Sequence, residues 1–233
     1  MELTPVYEFD DSDCAQYLIV SSHHQLSNPI KSSNNRVRFR RVDKVTTDDI
    51  HAADLVFVVD DGFDKVEFCK LKRKLAQKRD QFRLALCQCH SHIKRWYTEV
   101  DSVFRIKGDL EQRNIINSLI ESIELQGMIC VDFADIYSIF CNMKRSFYYH
   151  GVSEGKWRSV DAIDNAIAKR SFDCKTAMMI LLSGLEFTLD EFEMAANYFS
   201  TKIPEDTCCV FAHRLDPDRL NEDRLEVMIF INE

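Results

Sequence analysis

Glycine is scarce in this chain. Six glycines serve 233 residues, and nowhere do they cluster into the kind of loop whose bare backbone wraps a phosphate. No run of about 18 apolar residues occurs, which excludes an ordinary membrane-spanning helix. The stretch from Met1 to Glu8 lacks a basic segment followed by an apolar one, so no secretory signal is read. Without such a signal, nine cysteines point to free thiols in a reducing cytosol, and a cytoplasmic location is expected. Positive charge is in deficit: a net charge of −8 argues against broad nucleic-acid binding. Internal repeats and low-complexity tracts are absent too, which removes solenoids and biased linkers.

What is present is enough to build a core. The chain is 45% apolar and carries 16 Phe, ample for one large domain or two small ones. Ala15 to Val20 reads as a first strand, followed by a loop over 21–36 rich in Ser, Asn and His. Arg36 to Arg41 alternates as an edge strand with one basic face, and Asp54 to Val59 as a strand buried on both sides. Asp60, Asp61 and Gly62 end it, and a helix follows over Phe63 to Arg79 with Val66, Leu71 and Leu75 near helical spacing. Its basic part, Lys70 to Arg79, reads as a solvated face open to an acidic partner. Phe82–Cys87 and Val100–Ile106 are further strands, and the alternation implies a parallel sheet with crossover helices.

Beyond Leu110 the period changes. Ile115, Ile116, Leu119, Ile120 and Ile123 predict a long amphipathic helix stopped by Gly127. A second helix starts near Asp132 and is read through Ile136, Ile139, Phe140, Met143 and Phe147, with a break at Gly151 and Gly155. A third runs over Trp157–Ser171. Strands are expected at Thr176–Leu182, Cys208–Ala212 and Leu225–Ile231, with a capping-box helix after Thr188 and Glu191. Three helices with a three- or four-stranded sheet make this half an α/β layer.

Several constellations carry chemistry. Asp132 and Asp135 stand three residues apart where an apolar helix begins, so both carboxylates lie in its first turn. Asp132 is a natural N-cap and Asp135 sits at the third helical position, where negative charge suits the helix dipole. Cys87, Cys89, His90 and His92 form a candidate metal set, but a strand end aims four adjacent residues at one ion poorly and no second pair follows. No metal is expected. Cys130, beside the aspartates, reads as inert because neighbouring negative charge disfavours its thiolate. Cys208 and Cys209 read as core, as do Trp96 and Tyr97 in a short connector.

The run from Gly127 to Asp135 resembles the catalytic loop of FtsZ, the tubulin-like GTPase of cell division. Gly151 to Gly155, Leu185 to Glu193, and Leu215 to Asp218 with Leu225 to Val227 are similar to later FtsZ segments, as Ala53 to Phe57 and Val100 to Ser102 are to earlier ones. The resemblance implies an α/β fold: a degenerate Rossmann-like nucleotide domain of the tubulin/FtsZ type over 1–108, a central helix over 109–127 and an FtsZ-type C-terminal α/β domain over 128–233. It carries the roles of the family's two loop aspartates onto Asp132 and Asp135, acting in trans on a neighbouring subunit, with Cys130 and Phe133 on the same interface. Cys130 replaces a family Asn with a weaker hydrogen-bonding group, so full catalytic competence in trans is not expected.

The departures are informative. Where FtsZ has a Gly-rich loop, this chain has Asp60, Asp61, Asp64 and Glu67, with Gly62 alone remaining, and Ser21 and Ser22 stand where a second such loop is expected. The segment between Val100 and Gly127 is shorter than in the family, and with Glu233 just past the last strand no tail of the FtsZ kind is expected. The expected function is therefore a pseudo-GTPase that binds FtsZ or a related filament-forming subunit through its catalytic-loop face and caps or modulates assembly, with no cofactor. One alternative is a divergent GTP-binding, self-assembling GTPase, which needs a divalent cation to bridge the acidic loop to phosphate. Another is a nucleotide-independent scaffold. No membrane or nucleic-acid partner is expected.

Overall fold

The computed structural model describes residues 15–22, 36–78, 80–125, 127–141, 143–216 and 223–232. Most of the loop read over 21–36 lies outside them, as do Arg79 and, in the hairpin motif, Pro217 and Asp218. The chain runs β1 (Tyr17–Ser21), β2 (Val37–Arg41), α1 (Thr47–His51), β3 (Leu55–Asp60), α2 (Lys65–Leu75), β4 (Phe82–Cys87), α3 (His90–Trp96), β5 (Ser102–Arg105) and α4 (Asp109–Glu124). It continues through α5 (Phe133–Phe140), β6 (Ser146–Glu154), α6 (Arg158–Ile167), β7 (Thr176–Ser183), α7 (Leu189–Ser200), β8 (Cys208–Leu215) and β9 (Arg224–Asn232).

All the described strands join one sheet in the order β2-β1-β3-β4-β5-β6-β9-β7-β8. The first six in that order run parallel, β9 lies antiparallel to both β6 and β7, and β8 is parallel to β7. Alternation along each strand sorts side chains onto two faces. On one face Phe57, Leu84, Phe104 and Phe230 pack under α4 and α5 in a single cluster that spans the sheet. On the other face the cover is split. Val56, Val58 and Ala85 meet α1, α2 and α3, while Met179, Leu181 and Val227 meet α6 and α7.

The two halves of the sheet meet at β5 and β6, which share a single residue pair, Phe104 with Ser146. A buried polar relay reinforces this seam. Ser102 donates to Ser146, Ser146 to Asn232 Oδ1, Asn232 Nδ2 to Thr176 Oγ1 at 2.8 Å, and Thr176 to the Ile139 carbonyl at 2.7 Å. Each of these four side chains at the seam therefore has a partner, as a stable interior requires.

Several expectations change. The second helix ends at Phe140, and Phe147 belongs to β6, a strand absent from the sequence reading. Gly151 breaks nothing; it lies inside β6, where an added Cβ would fall 2.0 Å from the Ala162 carbonyl of α6. Trp96 sits in a helix, α3, and is fully buried. Cys208 and Cys209 lie on the outermost described strand, the first exposed and the second half-buried. Val66 faces solvent, leaving Leu71 and Leu75 as the buried side of α2.

Candidate functional site

In an open parallel sheet, ligands enter where successive connections diverge to opposite sides, beyond the carboxyl ends of the strands. Here that point lies between β1 and β3. The residues singled out there, Ser21, Ser22, Asp60, Asp61 and Gly62, come together at the ends of these two strands. Ser22 closes the gap by donating from both its backbone N–H and its hydroxyl to Asp61 Oδ1, the former at 3.3 Å.

Asp60 does not project as a loop acid. It is the last residue of β3 and fully buried. Its Oδ2 accepts from Arg95 Nη2 at 2.6 Å and from Trp96 Nε1 at 2.7 Å, while Oδ1 accepts from His92 Nδ1 at 3.1 Å and the Phe63 N–H at 3.0 Å. Burial alone would raise this carboxyl, but the bonds from Trp96, Arg95, His92 and Phe63 outweigh it and hold it below the ordinary carboxylate range. Gly62, at φ +132°, turns its own N–H back toward Asp60 Oδ1 at 3.3 Å. Four residues on, Asp64 and Glu67 form a capping box, Glu67 N–H to Asp64 at 2.7 Å and Asp64 N–H to Glu67 at 3.0 Å.

The consequence is chemical. The amides of Gly62, Phe63, Asp64 and Glu67 each donate to one of the chain's own carboxylates. An anion bound by backbone at the start of α2 needs such donors free and carboxylates distant. The described residues of this crevice therefore do not fit the phosphates of a nucleotide.

Asp132 and Asp135 occupy the opposite end of the sheet. Phe133 stacks edge-on against Phe82, the first residue of β4, with ring centroids 5.9 Å apart, whereas Asp60 pairs with Cys87, the last. At about 3.3 Å per residue, the two ends stand roughly 16 Å apart along that strand. The aspartates form a reciprocal capping box: Asp132 Oδ1 accepts the Asp135 N–H at 2.9 Å, and Asp135 Oδ2 accepts the Asp132 N–H at 3.0 Å. One oxygen of each is thus used locally, leaving the second of each carboxylate outside the box. Cys130 is exposed, with its thiol toward the Gly127 carbonyl at 3.5 Å, and Phe133 is half-buried.

The loop ahead of these aspartates is clamped by His213, a residue the sequence reading missed. Its backbone N–H donates to the Ile129 carbonyl at 2.9 Å, and its Nδ1 accepts the Met128 N–H at 3.1 Å. Its Nε2 therefore carries the proton toward Ser183 Oγ at 2.9 Å. Phe187 stacks on the ring at 4.7 Å, and burial lowers the imidazole pKa to about 4. Gly127 lies so near that an added Cβ would fall 1.7 Å from the His213 carbonyl oxygen. Around this clamp Met128, Leu185 and Leu189 are 41%, 59% and 60% exposed.

The metal set disperses. Cys87 is buried, with its thiol pushed well up by desolvation, and Cys89 is exposed beside Ser91. His90 points to a cleft beside α3, and His92 turns to Asp60. Among the described residues no group of three or more His, Cys, Asp or Glu side chains is arranged to share an ion. No described helix is long and apolar enough to cross a membrane.

Comparison with known proteins follows this geometry. No family model matches the chain. In sequence it is 28% identical over 124 residues to Cell division protein FtsZ 2 of Thermococcus kodakarensis, a match covering 51% of this chain and 30% of that protein. Cell division protein FtsZ of Caulobacter vibrioides is 27% identical over 119 residues, covering 48% and 23%. The matches thus span less than a third of these relatives. The structure superposes on an empty FtsZ dimer of M. jannaschii with a TM-score of 0.75 at 13% identity, covering 95% of this chain and 89% of that one. The chain has the FtsZ fold. A mutant FtsZ of the same organism gives a TM-score of 0.74 at 12% identity over 96% and 92% of the two chains. GDP-form protofilaments of TubZ from Bacillus thuringiensis serovar israelensis give 0.57 at 7% identity over 94% and 85%. The pairing of Asp60 with Arg95, Trp96 and His92 is the part of the site that no local spacing in the sequence marks.

Proposed function

We propose that this chain is an FtsZ-like subunit that does not hydrolyse GTP itself and that caps or modulates the assembly of an FtsZ-type partner. The single observation behind this reading is the self-closed crevice, in which Asp60, Asp61, Asp64 and Glu67 take the donors a phosphate would use. The opposite end supplies the docking face. Asp132 and Asp135 keep one oxygen each for a partner, in a loop held still by His213, and the exposed Met128 in that loop adds apolar area. In trans, two fixed acceptors suit the polarisation of a water aimed at a γ-phosphate in the partner's pocket, a task that Cys130 serves poorly as a hydrogen-bonding group. A subunit with one usable end stops growth where it binds.

Co-sedimentation tests this. Substoichiometric amounts should change the polymer yield of an FtsZ-type protein, and Asp132→Arg with Asp135→Arg should abolish the effect. Asp132→Asn with Asp135→Asn keeps the helix caps and removes the charge, so its loss of effect separates electrostatic docking from unfolding. An effect appearing only at equimolar ratio contradicts capping and indicates sequestration.

A further inference from the structure

The split cover on one face of the sheet leaves an uncovered strip at the β5–β6 seam. Helices α1 to α3 end their cluster at Val103, and α6 and α7 begin theirs with Phe147 packed at its edge. The sheet there is joined by one residue pair, so no intervening strand fills the gap. A cleft of about 250 Å³ results. Its floor is Val103 and Phe147, and its wall is Ile93 of α3 and Tyr97, the residue that follows the helix.

Charge makes this cleft unlike the rest of the molecule. The chain carries a net charge of −8, yet no carboxylate lines the cleft. Lys94 and Arg105 stand at its rim on two different elements, and among the described residues neither is paired with a carboxylate. Arg145 joins them, with its guanidinium over the Phe147 ring at 5.0 Å. Lys94, Arg105 and Arg145 are all exposed. The volume falls below the roughly 300 Å³ at which small-molecule pockets begin and suits one large apolar side chain. A cationic rim around an apolar slot recognises an anionic segment that carries one such side chain.

We propose that the cleft between α3 and β6 docks an acidic peptide segment, which inserts a single aromatic side chain between Tyr97 and Phe147 while its carboxylates meet Lys94 and Arg105. This site lies apart from the Asp132–Asp135 face and does not depend on the assembly reading.

The test is fluorescence anisotropy of the whole chain with a labelled Asp-Glu-Phe-Glu-Asp peptide. Saturable binding is expected, weakening as salt is raised. Lys94→Gln with Arg105→Gln should weaken it about tenfold, as should replacing the peptide's Phe by Ala, and a Lys-Lys-Phe-Lys-Lys peptide should not bind. An unchanged thermal midpoint in the Gln variant assigns its loss to the site rather than to folding. Lys94→Glu with Arg105→Glu should weaken binding further. Equal binding by the Gln variant or by the Ala peptide overturns the proposal. So does displacement of the peptide by an equal concentration of inorganic phosphate, which reduces the site to a plain anion patch.

Discussion

Replacing Asp60 by Asn removes one charge and almost no volume, and the structure sets the size of the loss. The carboxylate is fully buried and accepts from two nitrogens of Arg95, from Trp96, from His92 and from the Phe63 amide. Breaking one side of a buried ion pair costs about 3–5 kcal/mol, because the remaining charge is left without compensation. The Arg95 side chain keeps 21% exposure, so water relieves part of that penalty and the lower end applies. Asn keeps one acceptor oxygen, so it holds either the Trp96 bond made at Oδ2 or the Phe63 bond made at Oδ1, and the loss of the other keeps the cost from falling below that lower end. A loss of about 3 kcal/mol corresponds to a thermal midpoint lower by roughly 6–12 °C in a domain of this size. Calorimetry and urea unfolding of the whole chain both read it. Arg95→Gln combined with Asp60→Asn should cost much less than the sum of the single changes, since neither charge is then stranded. Inorganic phosphate should stabilise the Asn variant more than the wild type, because Arg95 and the Gly62 and Phe63 amides have lost their internal anion. A loss under about 1 kcal/mol, with additive singles, refutes the reasoning.

Other expectations follow from the clamp and the seam. The His213 pKa of about 4 lies below its ordinary 6.5, so the unfolded chain takes up a proton that the folded chain refuses. The stability from this residue is complete above pH 6.5 and is lost as pH falls toward 4, a decline of about 3 kcal/mol that His213→Phe should flatten in urea titrations. Gly127→Ala drives a Cβ into the His213 carbonyl and should cost about 1–3 kcal/mol while displacing the loop, so amide exchange at Met128 and Ile129 should accelerate. Asn232→Leu strands Ser146 and Thr176 at the seam and should cost about 2 kcal/mol by urea unfolding.

Legibility in the sequence followed the range of each interaction. Strand β4 is read to the residue, because Phe82 and Cys87 bound an apolar run that only Arg83 interrupts. The caps at Thr188 and Asp132 are equally visible, since a capping box is complete within four residues. Strand β6 is hidden because Met143 and Phe147 continue the helical period of α5, and Gly151 looks like punctuation when it serves close packing on α6. Helix α3 is hidden because only Ile93 and Trp96 are buried in it. The acidic content of the loop after β3 is plain in the sequence, but the burial of Asp60 is not. Its side-chain partners stand more than 30 residues away, and no local pattern pairs a strand-end aspartate with an arginine on the next helix but one. His213 escapes notice for the same reason: a lone histidine in an outer strand has no sequence signature for the loop it clamps.

Titration calorimetry of the purified chain with Mg-GTP tests the central claim most directly. The account predicts no saturable heat up to millimolar nucleotide, because the chain's own carboxylates hold the Gly62, Phe63, Asp64 and Glu67 amides and place negative charge at the head of α2. Stoichiometric binding at micromolar nucleotide contradicts it.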